Sequence, residues 1–165
     1  MSRLDSAIRR LEAQRACLGA AARRIEGRAG VVLELGLGNG RTYDHLREIL
    51  PDRDLYVFER EVRAHPDCVP PDARLFLGDV LQTLARAAET LAGRAVLVHS
   101  DIGTGEAARN AELAAQIARL LPPLLAPGAV IVSDQALDLP GARPLELPEG
   151  VRPGRYHLAE WAPGD

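Results

Sequence analysis

The chain has no lysine: all 20 of its basic residues are arginine. That absence excludes a P-loop lysine, a Schiff-base lysine and the lysine-bearing kinase and β-lactamase signatures. Cysteine is nearly as scarce. Cys17 and Cys68 alone cannot build a four-ligand zinc site and form no Cys-x-x-Cys pair, so both read as reduced thiols. Aromatic residues make up only 4% of the chain, and no apolar run is long enough to span a bilayer. Residues 1–10 carry charges where a signal peptide needs an apolar core, so the expected location is the cytoplasm. A net charge of −3 makes the chain a poor general binder of polyanions, which weighs against nucleic acid as a partner. What is present, 165 residues of which 47% are hydrophobic, suits one domain that buries about 70% of its unfolded surface.

Apolar residues at Leu4, Ile8, Leu11, Leu18, Ala22 and Ile25 recur with a helical period, with Ser2 or Asp5 as start signals and Gly27 as the stop. The pattern then changes. Val31-Val32-Leu33-Glu34-Leu35 is a short apolar run that ends in glycines, as a buried strand does, and residues 41–50 return to helical spacing before Pro51. Further strands are expected at 55–58, 75–77, 95–98 and 129–132, with helices at 80–91 and 106–125 between them. Strands alternating with helices predict a doubly wound, mostly parallel α/β sheet covered on both faces. Leu145-Glu146-Leu147 and residues 155–161, set among prolines and glycines, read as two more strands forming a hairpin-like end to the sheet. No repeat or linker divides the chain, which reads as one domain over 1–165, with 1–27 as an extra N-terminal helix.

The first strand runs into Gly36-Leu37-Gly38-Asn39-Gly40 and then a helix. A glycine turn between strand and helix lets the backbone approach a ligand closely, and the helix N-terminus favours negative groups. The dinucleotide fingerprint needs a sixth-position glycine, where this chain has Arg41; its spacing is Gly-x-Gly-x-Gly. Glu34 breaks an otherwise apolar strand, and an unpaired buried carboxylate costs on the order of several kcal/mol. It calls for an arginine partner or for a cationic, strongly donating ligand. Glu59 ends the second strand, 23 residues after Gly36, where an acid can bind both ribose hydroxyls. Gly78-Asp79 ends the third strand, and His99-Ser100-Asp101 ends the fourth. Carboxylates at four strand ends in this frame point to an adenosine-bearing ligand with positive charge and no phosphates.

That combination resembles the class I S-adenosylmethionine-dependent methyltransferases, and the likeness covers nearly the whole chain. It is carried by Val32-Leu33-Glu34-Leu35-Gly36-Leu37-Gly38-Asn39-Gly40, Glu59, Leu77-Gly78-Asp79 and the fourth and fifth strands. The chain is most similar to very small bacterial members of that family. The resemblance implies a Rossmann-like sheet of about seven strands with a reversed last strand. It implies S-adenosyl-L-methionine as cofactor and S-adenosyl-L-homocysteine as product. It further implies that Gly36, Gly38, Asn39 and Gly40 shape the loop around the methionine portion, with Glu34 near its ammonium group. By the same resemblance Glu59 would hold the ribose hydroxyls, and Asp79 would accept from the adenine amino group beside Gly78 and the Val80 backbone. Asp101 would lie near the methionine end or the substrate, and Thr42 or Arg41 near the cofactor carboxylate.

The expected acceptor is an oxygen or nitrogen nucleophile of a small molecule. The fourth strand lacks the Asn/Asp-Pro-Pro-Tyr/Phe motif of enzymes acting on adenine N6, and neither cysteine follows a strand as in cytosine C5 enzymes. Asp101, His99 and Asp134 are the candidate acid–base residues, on strand-end position alone. The segments Val98-His99-Ser100-Asp101 and Ser133-Asp134-Gln135 also resemble metal-dependent catechol-type O-methyltransferases, whose Asp and Asp-Asn ligands would suit Mg²⁺. Here His99 and Gln135 depart from that pattern, so no metal ligands are assigned and Mg²⁺ is the less favoured addition. A noncatalytic S-adenosylmethionine-binding protein is the other alternative. A cofactor-binding sheet uses up most of 165 residues, which leaves acceptor recognition to loops, to the N-terminal helix as a lid, or to the partner subunit of a homodimer.

Overall fold

The computed structural model of the protein describes residues 1–164. Seven strands form one sheet in the order β3-β2-β1-β4-β5-β7-β6. They are β1 (Val31–Leu35), β2 (Leu55–Glu59), β3 (Leu75–Leu77), β4 (Ala95–Ser100), β5 (Leu125–Ser133), β6 (Ala142–Pro144) and β7 (His157–Trp161). The first five are parallel, and β7 runs antiparallel between β5 and β6. Helices α1 (Arg3–Arg24) and α2 (Arg41–Ile49) cover one face, where Cys17, Leu18, Ala21 and Leu46 meet Val32, Val57, Leu97 and Val130. Helices α3 (Val80–Leu91) and α4 (Ala107–Leu120) cover the other, where Leu84, Leu91 and Ile117 meet Leu33, Leu35, Val98 and Ile131. Alternate residues of each central strand therefore point into opposite cores, which is why these strands read as continuous apolar runs.

The chain reverses direction of winding between β1 and β4. In open α/β sheets that switch point, at the carboxyl ends of the strands, is where ligands bind. Backbone bonds run on past the strand ends: Gly36 N–H donates to Phe58 O (2.8 Å), Gly78 to Glu59 (2.9 Å), Asp101 to Leu35 (3.3 Å) and Asp134 to Ser100 (3.1 Å). These bonds line up the glycine loop, Glu59, Asp79, Asp101 and Asp134 along one edge.

Three expectations need correction. The buried stripe of α1 is Ala13, Gln14, Cys17, Leu18 and Ala21, whereas Leu4 and Ile8 are 69% and 45% exposed. The helix overshoots the sheet at its start, so its first apolar positions have nothing to pack on. From Ala13 onward α1 is a layer of the core, while its earlier turns are largely exposed, with Arg10 tied to Asp101. The strand expected at 145–147 forms at Ala142–Pro144 instead. Gly141 turns the chain there with φ +85°, and Pro144 is tolerated because β6 is the edge strand. Leu145 and Leu147 are drawn off to pack on the α1-side core. The last helix stops at Leu120 because Pro122 and Pro123 have no N–H to continue it, and β5 begins at Leu125, four residues earlier than expected.

Gly40 caps α2 with φ +85°, and a β-carbon there would overlap the Cys68 side chain. Gly40→Ala should therefore cost about 3 kcal/mol, from positive-φ strain plus overpacking. Denaturant unfolding checks this, and a loss below ~1 kcal/mol would show that the loop can relax.

Candidate functional site

The glycine loop is held by the side chain that follows it in the sheet. Glu59 Oε2 accepts from Leu37 N–H (2.7 Å) and Gly38 N–H (3.0 Å), while Oε1 accepts from Arg60 N–H (2.7 Å) and Glu61 N–H (3.3 Å). The carboxylate thus pins the turn between β1 and α2 to the turn after β2. Gly36 (φ +87°) lies so close to the β4 end that a β-carbon would stand 3.0 Å from Asp101 O. Asp79 caps α3, its Oδ1 accepting from Leu81 N–H (3.0 Å) and Gln82 N–H (3.2 Å). A cavity of about 610 Å³ opens among Gly36, Glu59, Asp79, Val80, Ile102 and Leu113. Its lining mixes the acids Glu59, Asp79 and Glu112 with Arg60, Arg109 and apolar side chains.

Beneath the loop, on the α1 and α2 face, runs a buried chain of polar groups. Register places Glu34 on β1 opposite His99 on β4, and both are fully buried. Glu34 Oε1 accepts from Thr42 Oγ1 (2.8 Å) and from His99 Nδ1 (2.8 Å). His99 Nε2 lies 2.6 Å from the Tyr156 hydroxyl, which accepts from Gln14 Nε2 at 3.0 Å. The same Gln14 amide donates to Asp101 Oδ2 (2.7 Å), and Arg10 Nη1 reaches that oxygen at 3.1 Å. Burial opposes a charged imidazole at His99, but the Glu34 carboxylate outweighs it and His99 titrates above its ordinary value. Burial, reinforced by the Asp101 charge, raises the Tyr156 phenol far enough to keep it protonated.

Glu34 faces neither an arginine nor open space, because Thr42 and His99 occupy one oxygen and the core encloses the other. Thr42 spends its hydroxyl on Glu34 rather than holding it out toward a ligand. Of the three candidate acid–base residues, Asp101 and Asp134 come together at the edge, while His99 is turned inward behind them. Asp134 Oδ2 accepts from Gly103 N–H (3.1 Å) and from the Gln135 side chain (3.3 Å). Burial first, and the neighbouring Asp101 charge second, raise the Asp134 carboxyl above its usual range.

The residues present fit an S-adenosyl cofactor. Glu34 Oε2 and Asp134 Oδ1 are buried acceptors with no partner among the described residues, as expected of a site that waits for donors. The glycine turn leaves room at Gly36 and Gly40 where side chains would clash, and the cavity joins apolar side chains to Glu59, Asp79 and Glu112. The fit for Mg²⁺ fails. Among the described residues no three His, Cys, Asp or Glu side chains are gathered as metal ligands. His99, standing where an aspartate ligand would be needed, is committed to Glu34.

Arg10, Gln14 and Tyr156 are the site neighbours that motif reading does not assign. Gln14 was legible in principle, since an amide at a buried position of α1 needs a partner. Tyr156 gives no such signal, because a tyrosine beside a strand is ordinarily packing. Cys17 packs in the core, where burial pushes its thiol up to about 11 and keeps it inert. Among the described residues no helix is long and apolar enough to cross a membrane.

Fold and site together define a doubly wound α/β protein with a glycine turn and an acid-bearing cavity at its switch point. A family model described as S-adenosyl-L-methionine methyltransferase matches residues 1–160. An S-adenosyl-L-methionine methyl transferase from Silicibacter pomeroyi DSS-3 is 44% identical, with a TM-score of 0.93 over 98% of this chain and 99% of that one. More distant structures share the fold: a putative caffeoyl-CoA O-methyltransferase from Staphylococcus aureus (12% identity, TM-score 0.57, 88% of this chain and 82% of that one) and human methyltransferase-like protein 13 in complex with S-adenosylhomocysteine (13%, 0.57, 92% and 81%). No curated protein matches the chain significantly. The chain belongs to the S-adenosyl-L-methionine methyltransferase family, and S-adenosyl-L-methionine is its cofactor.

Two measurements check this geometry. Glu59→Gln keeps the volume but replaces an acceptor oxygen with a donor, so calorimetry should show S-adenosylhomocysteine affinity reduced at least about tenfold, the equivalent of one charge-assisted hydrogen bond. Unchanged affinity would remove Glu59 from the site. Asp134→Asn tests the raised carboxyl. Asp134 binds its proton more tightly folded than unfolded, so its ionisation costs stability above the folded value, and that cost is relieved as pH falls through it. The variant should melt about 2–4 °C above wild type at pH 8, as ~1 kcal/mol after solvent screening would produce at this length. The gain should be gone below pH ~4, the unfolded carboxyl value.

Proposed function

We propose that the enzyme methylates an oxygen or nitrogen nucleophile of a small molecule at the Asp101–Asp134 end of the sheet. The observation that carries this reading is the convergence of two carboxylates beside the glycine loop, one of them with a raised proton affinity. When bound, S-adenosyl-L-methionine supplies an electrophilic methyl carbon on a sulfonium centre. In the proposed arrangement Gly36, Gly38, Asn39 and Gly40 shape the turn around the methionine portion, and Glu59 exchanges its bonds to Leu37 and Gly38 for the ribose hydroxyls. Asp79 accepts from the adenine amino group through the oxygen that does not cap α3, with Gly78 and the Val80 backbone alongside. Thr42 acts behind the loop by holding Glu34 Oε1, and the unpartnered Glu34 Oε2 is left to accept from the ammonium group of the methionine portion.

Asp101 is fastened by Gln14 and Arg10, which leaves it acceptor-only and suited to orienting a nucleophile. Asp134, with its raised carboxyl, is suited to receive the proton that an O–H or N–H nucleophile gives up. Support for a small acceptor comes from a cavity of about 320 Å³ lined by Ile131, Ser133, Leu137 and Tyr156, next in sequence to Asp134 and within the range of small-molecule sites.

The test is a methyl-transfer screen over phenols, carboxylic acids and amines, scored by S-adenosylhomocysteine formation, with an RNA oligonucleotide and a protein extract as further arms. Turnover of a small molecule is expected, and Asp134→Asn should lower kcat by about 10²–10⁴ while S-adenosylhomocysteine affinity holds within a few fold. Turnover confined to the macromolecular arms, or an Asp134→Asn enzyme with wild-type kcat at pH 8, would contradict the reading.

A further inference from the structure

A second hollow, of about 510 Å³, opens on the other side of α1, between that helix and the loop at 149–155. Its lining carries Arg9 and Arg15 from the helix and Arg152 and Arg155 from the loop, with Glu12 and Glu149 as the only acids. None of these six side chains makes a hydrogen bond or ion pair among the described residues, although both signs line the same hollow. Arg10, one position along α1, shows the contrast by being tied to Asp101. The loop side is held in shape by its own turn, in which Arg155 N–H donates to Arg152 O (3.1 Å) around Pro153 and Gly154. Both loop guanidiniums are thereby presented from one short segment.

Four guanidiniums around one concavity repel one another, and a chain whose acids outnumber its bases, 23 to 20, has carboxylates to spare for neutralising them. The two acids in the lining leave an excess of two positive charges. We infer that this hollow is a binding site for a small dianion, a phosphate monoester or a dicarboxylate, separate from the cofactor cavity. Guanidinium forks match carboxylate and phosphate oxygens bidentately, and four of them can hold both ends of a dicarboxylate or all the oxygens of one phosphate. A polynucleotide is the poorer occupant. Glu12 and Glu149 interrupt the positive field on both walls, and the site is a hollow rather than a track along the surface.

The site is tested on the full-length protein by calorimetry at pH 8 and low salt, with inorganic phosphate, succinate and the neutral analogue succinamide as probes. Phosphate or succinate should bind, succinamide should not, and affinity should fall as salt is raised. The stronger of the two anions identifies the group that the hollow prefers. Arg152→Gln and Arg155→Gln should each weaken that anion at least about tenfold. S-adenosylhomocysteine affinity, measured on the same samples, should not move; it reports that each variant is folded and tests the cofactor reading independently. Failure of both anions to bind would overturn the inference, as would anion binding indifferent to both substitutions. A short RNA that bound through the same arginines more tightly than either anion would also overturn it.

Discussion

Glu34 against His99 is the interaction on which the cofactor end of this molecule depends. Two groups able to carry charge sit side by side in the middle of a parallel sheet, both fully buried. Such a pair needs polar partners, and here Thr42 from α2 reaches Glu34 and Tyr156 from the segment before β7 reaches His99, with Gln14 from α1 behind Tyr156, while Glu34 Oε2 alone is left without a partner among the described residues. Removing either partner of a buried pair costs about 3–5 kcal/mol, because the other is left charged and alone. The pair therefore specifies more than stability. It sets how α1, α2 and the C-terminal segment meet at the one place where β1 and β4 diverge.

From that anchor the site builds outward. Gln14 reaches Tyr156 on the inside and Asp101 at the surface, so the N-terminal helix is fastened to the strand edge by a single amide with both donors in use. Asp101 stands against Gly36, and its charge raises Asp134 on the next strand. Glu59 closes the opposite side by clamping the glycine loop. The edge is acidic, and no lysine contributes to it. Arginine is present there as well: Arg10 bonds Asp101, and Arg60 and Arg109 line the cavity.

Much of this was legible in the sequence. Period and composition identify the five parallel strands and their helices, because strands buried on both faces are apolar throughout and glycines and prolines mark the ends. The glycine loop and the acids at Glu59, Asp79, Asp101 and Asp134 can be placed by spacing along the chain. What resisted reading was partnership. Glu34 announces a buried carboxylate, but only strand register shows that His99 lies opposite it. Leu4 and Ile8 continue a helical stripe that the sheet is too short to cover. The choice between 142–144 and 145–147 for the sixth strand depends on Gly141 and on which leucines the α1-side core has room to take. Local pattern carries no information about such competition between elements.

The central claim is that the carboxyl edge between β1 and β4 holds the cofactor with its reactive end toward Asp101 and Asp134. A crystal structure of the protein with S-adenosylhomocysteine tests it most directly. The account predicts the ribose on Glu59, the adenine beside Asp79 and Val80, the sulfur facing the two aspartates, and the Glu34–His99–Tyr156–Gln14 chain intact beneath. Density for the ligand with its sulfur turned away from Asp101 and Asp134, or with Glu59 still bonded only to the loop, would contradict it.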